Sequence, residues 1–147
     1  MSKSNFLENA ILNLIFRAVA IANIADNAAA SPLTNLYWSL RTADPGEAGT
    51  QATSETSYGS YARQPVARTT GGMSAATTGT TSPAANVVFP AASSPALPTV
   101  QSITYAGIGQ AVSGATNLFY SGPVTPNINV STGVQPILTT ASAVTED

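Results

Sequence analysis

The amino-acid sequence predicts a mainly β protein: an antiparallel β-sandwich, jelly-roll-like, preceded by one N-terminal α-helix. Three observations carry that reading. Apolar residues follow a helical period only near the N-terminus, where no Gly or Pro intervenes. Farther on, some seven or eight short runs rich in Val, Ile, Thr, Tyr and Phe recur at nearly regular spacing. Between the later runs, Gly107, Gly109, Gly114, Gly122 and Gly133 supply bends and turns. At 147 residues the length suits one domain with its own core. The expected organisation is a helix and linker over residues 1–30, acting as a core or interface element, and a β-sandwich domain over 31–147.

Ser4 is a suitable N-cap, and Glu8 in the first turn complements the helix dipole. From Asn5 to about Ala22 the residues Leu7, Ile11, Leu14, Ile15, Ala18 and Ile21 hold helical spacing. Asn9, Asn13 and Arg17 fall four apart and mark a narrow polar edge. The cylinder is otherwise so broadly apolar that one sheet face would cover about half of it, leaving the rest for a second surface. Leu7, Ile11, Leu14, Ile15 and Arg17 are therefore candidate interface residues, with a purely core role as the alternative.

Residues 26–32 form an Ala/Asn linker that Pro32 prevents from continuing the helix. The strand from Leu33 to Thr42 follows. Leu36, Trp38 and Leu40 point to one face as candidate core, and Tyr37, Ser39 and Arg41 to the other, the alternation of a half-buried strand. Burying Trp38 would remove about 150–250 Å² from water, worth about 4–6 kcal/mol. Asp44, Pro45 and Gly46 make a turn in which Gly accepts positive φ and the Asp side chain bonds the following backbone. A strand from Ser60 to Arg68 comes next. The Thr-rich stretch 69–82 suits short edge strands, and 85–90 a further strand. Runs at 100–108, 117–122 and 127–131, and a last strand over 134–145 broken near Pro136, complete the set.

Charged residues make up only 8% of the chain against a typical share of about 25%. A surface of Ala, Ser, Thr and Asn suggests coverage by partners, although a neutral Thr/Ser-faced β protein would look similar. Cys and His are both absent, which removes Ser-His and Cys-His catalysis and the common zinc, copper and non-haem iron sites. No metal, cofactor or catalytic residue is expected. Asp44, Glu47 and Glu55 do not supply the ligand number that calcium wants. A glycoside hydrolase using those carboxylates is a remote alternative.

Tyr58, Tyr61, Arg63 and Arg68 are the nearest thing to an aromatic-basic patch, but strand alternation sets Arg68 opposite Tyr61 and Arg63. With a net charge of -2, nucleic acid is not expected as a partner. Arg63 and Arg68 are instead expected to pair with Asp or Glu, within the chain or on a neighbouring subunit, and join the candidate interface set. Glu8, Asn13 and Arg17 interrupt the run from Phe6 to Ile24, so neither a signal peptide nor a membrane span is expected.

The ordered set FLENAILNLIFR, LYWSLRTADPGEAGT, YARQPVAR, VVFP and the terminal AVTED resembles a family of small tailed-bacteriophage virion proteins, tail-fibre-like or head-decorating. The resemblance implies a structural protein located in the virion and assembled in the host cytoplasm. The first expectation is a non-enzymatic capsid decoration or cement protein. It would clamp neighbouring major capsid subunits, act as a homo-oligomer (dimer or trimer), and contact the major capsid protein or other virion proteins. A tail-fibre or baseplate adaptor, or host-contact module, is the alternative.

Overall fold

The structure, a computed structural model, describes residues 5–21, 32–94 and 100–146. It is mainly β, with antiparallel pairing and one helix, as predicted from the sequence. The elements in order are α1 (Asn5–Arg17), β1 (Asn35–Arg41), β2 (Gln64–Ala67), β3 (Thr80–Thr81), β4 (Val87–Val88), β5 (Gln101–Gly109), β6 (Leu118–Val130), β7 (Ile137–Leu138) and β8 (Val144–Thr145). One four-stranded sheet has the order β2-β1-β5-β6, and two ribbons pair β3 with β8 and β4 with β7. Ser4 and most of the Ala/Asn linker lie outside the described residues, as does the side chain of Leu7.

The chain gathers into two compact units. The first comprises Met1–Leu36, Val66–Asn86 and Leu138–Asp147; the second comprises Tyr37–Pro65 and Val87–Ile137. In the first, Leu12, Phe16, Leu36, Met73, Leu138 and Val144 are buried. Leu12 and Phe16 stand four apart on one helix ridge, and neither belongs to the helically spaced apolar set read from the sequence. The polar edge adjoins that ridge. Asn9 Oδ1 accepts the Gly79 N–H at 2.7 Å, and Asn13 Oδ1 accepts the Ala76 N–H at 3.2 Å. Two loop amides with no ladder partner are thereby satisfied, so these asparagines face inward.

Helix α1 stops at Arg17, five residues earlier than its apolar period suggests. Ala18 turns to φ 54°, and the Val19 N–H reaches back to the Asn13 carbonyl at 3.1 Å.

In the second unit, Trp38, Leu40, Tyr58, Phe89, Ile103, Ile108 and Val130 are buried. β1 is more enclosed than a half-buried strand, because Ser39 and Arg41 on its other face are also fully covered. Two glycines of β5 leave room for Arg41 and for Gln51. A Cβ on Gly107 would collide with the Arg41 guanidinium, and one on Gly109 with the Gln51 side chain.

The runs expected separately at 117–122 and 127–131 form the single strand β6. It tolerates Pro123 and Pro126 because, among the described residues, it is the outer strand of the sheet, with β5 as its neighbour. Register shifts near Thr104 and beside Phe119 interrupt that pairing. At the first, residues 124–127 of β6 lie opposite Thr104 alone; at the second, Phe119 is the extra residue between the pairs Ile108–Tyr120 and Gly109–Leu118.

Candidate functional site

The turn after β1 forms as its residues dictate: Asp44 Oδ1 accepts the Gly46 N–H at 2.9 Å, and Gly46 adopts φ 67°. The chain then returns alongside β1. The Thr42 N–H bonds the Ser54 carbonyl at 2.9 Å and the Thr56 N–H bonds the Leu40 carbonyl at 3.0 Å. This return brings Glu55 to Arg63, where a two-pronged ion pair forms with both N–O distances at 2.7 Å. Tyr61 donates to Glu55 Oε1 at 2.9 Å while its oxygen accepts the Leu40 N–H at 3.1 Å. Its ring packs edge-on to Tyr58 and stacks with Phe89, at centroid distances of 5.3 and 6.3 Å.

Electrostatics follow from this enclosure. The hydrogen bonds to Glu55 hold the Arg63 guanidinium above the usual arginine pKa, against the opposing effect of burial. Burial pushes the Tyr58 hydroxyl up to about 12, and burial followed by the Glu55 charge raises that of Tyr61 as well. Burial lowers the pKa of Arg41, whose guanidinium donates to the carbonyls of Thr50 (3.3 Å), Gln51 (3.0 Å) and Thr53 and to Ser39 Oγ (3.2 Å).

The same cluster fixes the turn between β5 and β6. Arg63 donates to the carbonyls of Ala111 (3.0 Å) and Gly114 (2.9 Å). Gln51, fully buried, donates through Nε2 to the Ala111 carbonyl at 3.3 Å; its Oε1 accepts the Ala111 N–H at 3.0 Å and the Thr116 hydroxyl. The Gln51 N–H adds a bond to the Thr116 carbonyl at 2.9 Å.

Arg68 behaves differently from the expected carboxylate pairing. It donates to the carbonyls of Leu14 (2.9 Å), Ile15 and Leu33 (2.7 Å), so it caps the C-terminal end of α1 with a cation where the helix dipole is negative. Arg17 donates to Asn13 Oδ1 at 2.9 Å on the same helix. Ile11, Leu14 and Ile15 are half-buried, whereas Phe6 is 75% exposed. Leu36, Trp38 and Leu40 are all buried.

The structure thus brings Arg63 and Tyr61 together on Glu55, and it sets Arg68 on the helix. Sequence reasoning missed Gln51 and Arg41 as organisers. The glycine alternation of β5 was their only signal, and it reads equally as turn chemistry. Among the described residues no group of three acidic side chains could hold a metal ion, and no helix is long and apolar enough to cross a membrane.

Internally bonded charges in a β-rich body, with apolar side chains left at its surface, suit a structural subunit. Similarity along nearly the whole chain agrees, and it places the protein among tail-fibre-like virion structural proteins of tailed phages. Residues 2–145 match the model of the family Gp80, podophage GP4 fiber I protein gp80, and the chain belongs to that family. Comparison with curated proteins gives no match.

Proposed function

We propose that the chain is a non-catalytic subunit of a phage tail fibre, working through contacts with other virion proteins. The match to a fibre-protein family over residues 2–145 carries this reading. The enclosure of Glu55 by Arg63 and Tyr61 supports the absence of catalysis, since that carboxylate is already committed to internal partners. Helix α1 is the proposed contact element of the first unit, because Phe6 stands exposed at its start and Ile11, Leu14 and Ile15 are only half-covered.

The scarcity of charge suits a surface covered by partners in either place, so attachment to the head as a decoration protein stands as the second reading, and the family match sets the order of preference. Locating and counting the chain in intact particles by cryo-EM separates the two. Density confined to the tail is expected; copies comparable in number to the major capsid protein would establish decoration instead. Replacing Ile11 and Ile15 by Asp strands charge on apolar surface. The variant should fold yet lose incorporation into particles, and undiminished incorporation would reject the helix as a contact element.

A further inference from the structure

We infer that residues 50–56 and the turn between β5 and β6 form one latched strap, which opens as a single cooperative unit while the rest of the sheet stays folded. The inference concerns the chain by itself and does not depend on the fibre reading.

The turn belongs with the returning chain and not with the ladder that leads into it. Regular pairing of β5 with β6 ends at Ile108–Tyr120, because the register shifts before the last pair, Gly109–Leu118. Beyond that shift the backbone of the turn is held from outside the sheet. Gln51 bonds both the N–H and the carbonyl of Ala111, and it takes the carbonyl and the hydroxyl of Thr116 as well. Arg63, fixed by Glu55 of the strap, donates to the carbonyls of Ala111 and Gly114. Thr50 pairs with Asn117 at the foot of β6.

Two buried cations make this latch all-or-none. Arg41 directs its donors to the strap carbonyls of Thr50, Gln51 and Thr53 and to Ser39, and Arg63 holds Glu55 with two donors. Lifting one end of the strap leaves a guanidinium in a dry site with fewer acceptors, which costs more than an intact bond contributes. Water reaches both cations only when the whole strap has left, and a hydrated Arg63 then releases the turn. Partial opening is therefore the least favourable state, so strap and turn move together. The closed strap also carries strain. Ser54 sits at φ 55°, in the left-handed region that a Cβ disfavours, while its carbonyl accepts the Thr42 N–H at 2.9 Å. Opening relieves that strain, and the latch opposes it.

Native-state hydrogen exchange on the full chain tests the inference. The bonded amides of Gln51 and Thr56 in the strap and of Ala111 in the turn should share one opening free energy and one urea dependence. They should exchange about tenfold or more faster than the slowest amides of β5. Arg41→Lys probes the coupling, because Arg41 bonds the strap but no residue of the turn. Lysine lacks the planar fork, so exchange at Gln51 should rise about tenfold, and exchange at Ala111 should rise by the same factor. An unchanged rate at Ala111 would overturn the inference. So would wild-type strap and turn amides that exchange only as slowly as those of β5, a comparison that requires no variant to fold.

Discussion

At the scale of single residues, the second unit depends on charge held by geometry. The Arg63 side chain is 3% exposed and that of Glu55 16%, so the pair sits largely out of water and is stable only while both members remain. Glu55→Ala removes the carboxylate from Arg63 and the acceptor from Tyr61. It should cost about 3 kcal/mol, the low end for breaking a buried pair because Glu55 keeps some exposure, measured as a lower urea midpoint. Gly107 tests the Arg41 site from the other side. A methyl group there meets the guanidinium, so Gly107→Ala should destabilise by about 1–3 kcal/mol through overpacking. Gly122, across the ladder beside Ala106, has open space around its Cβ position, and Gly122→Ala should be neutral or slightly stabilising. Equal effects at the two glycines would show that Arg41 does not require the gap.

At the scale of elements, α1 depends on a residue far along the chain. Arg68 donates to two carbonyls of the last helical turn, Leu14 and Ile15, and to that of Leu33, so Arg68→Ala should lower stability by about 1–2 kcal/mol and reduce the helical signal at 222 nm. Arg68→Lys keeps the charge without the planar fork and should recover less than half of that loss. This cap also explains what the sequence could and could not tell. The existence of the helix was legible from its period, and β1, β5 and the Asp44 turn from alternation and turn chemistry. The inward face of the helix was not, because its apolar cylinder offers several stripes, and the one buried, Leu12 and Phe16, is chosen by Asn9 and Asn13 bonding amides at Gly79 and Ala76. Its end was hidden for the same reason: no Gly or Pro marks Ala18, and the capping guanidinium comes from residue 68. β6 read as two strands because proline breaks a central strand but not an outer one. That Arg63 pairs with a carboxylate followed from charge, but its partner, Glu55, is set by the return of the chain alongside β1. The roles of Gln51 and Arg41 depend on space left by Gly107 and Gly109, which no local pattern announces.

At the scale of the whole molecule, the sparse charge shapes the response to pH. The sequence has no His or Cys and only one Lys, so few side chains titrate between the carboxylates and the tyrosines. Alkali is then the informative direction. In the unfolded chain the tyrosine hydroxyls ionise near 10, whereas burial holds Tyr58 protonated up to about 12 and raises Tyr61 too. As pH rises past 10 the unfolded state loses these protons first, so it binds fewer protons than the folded state and stability must fall. The contribution of Tyr58 is complete below pH 10 and declines toward pH 12, with a limiting slope of about 1.4 kcal/mol per pH unit for each tyrosine. Trp38, the sole tryptophan, is buried in the same unit and reports its unfolding through the emission maximum. Urea midpoints should hold level from pH 8 to about 10 and then drop through 11. Tyr58→Phe should start lower, having lost the 3.0 Å bond to the Pro90 carbonyl, and then fall less steeply. A wild-type midpoint unchanged up to pH 12 would mean that the two hydroxyls are as open to solvent in the fold as in the unfolded chain, which their enclosure between Phe89, Pro90 and Glu55 rules against.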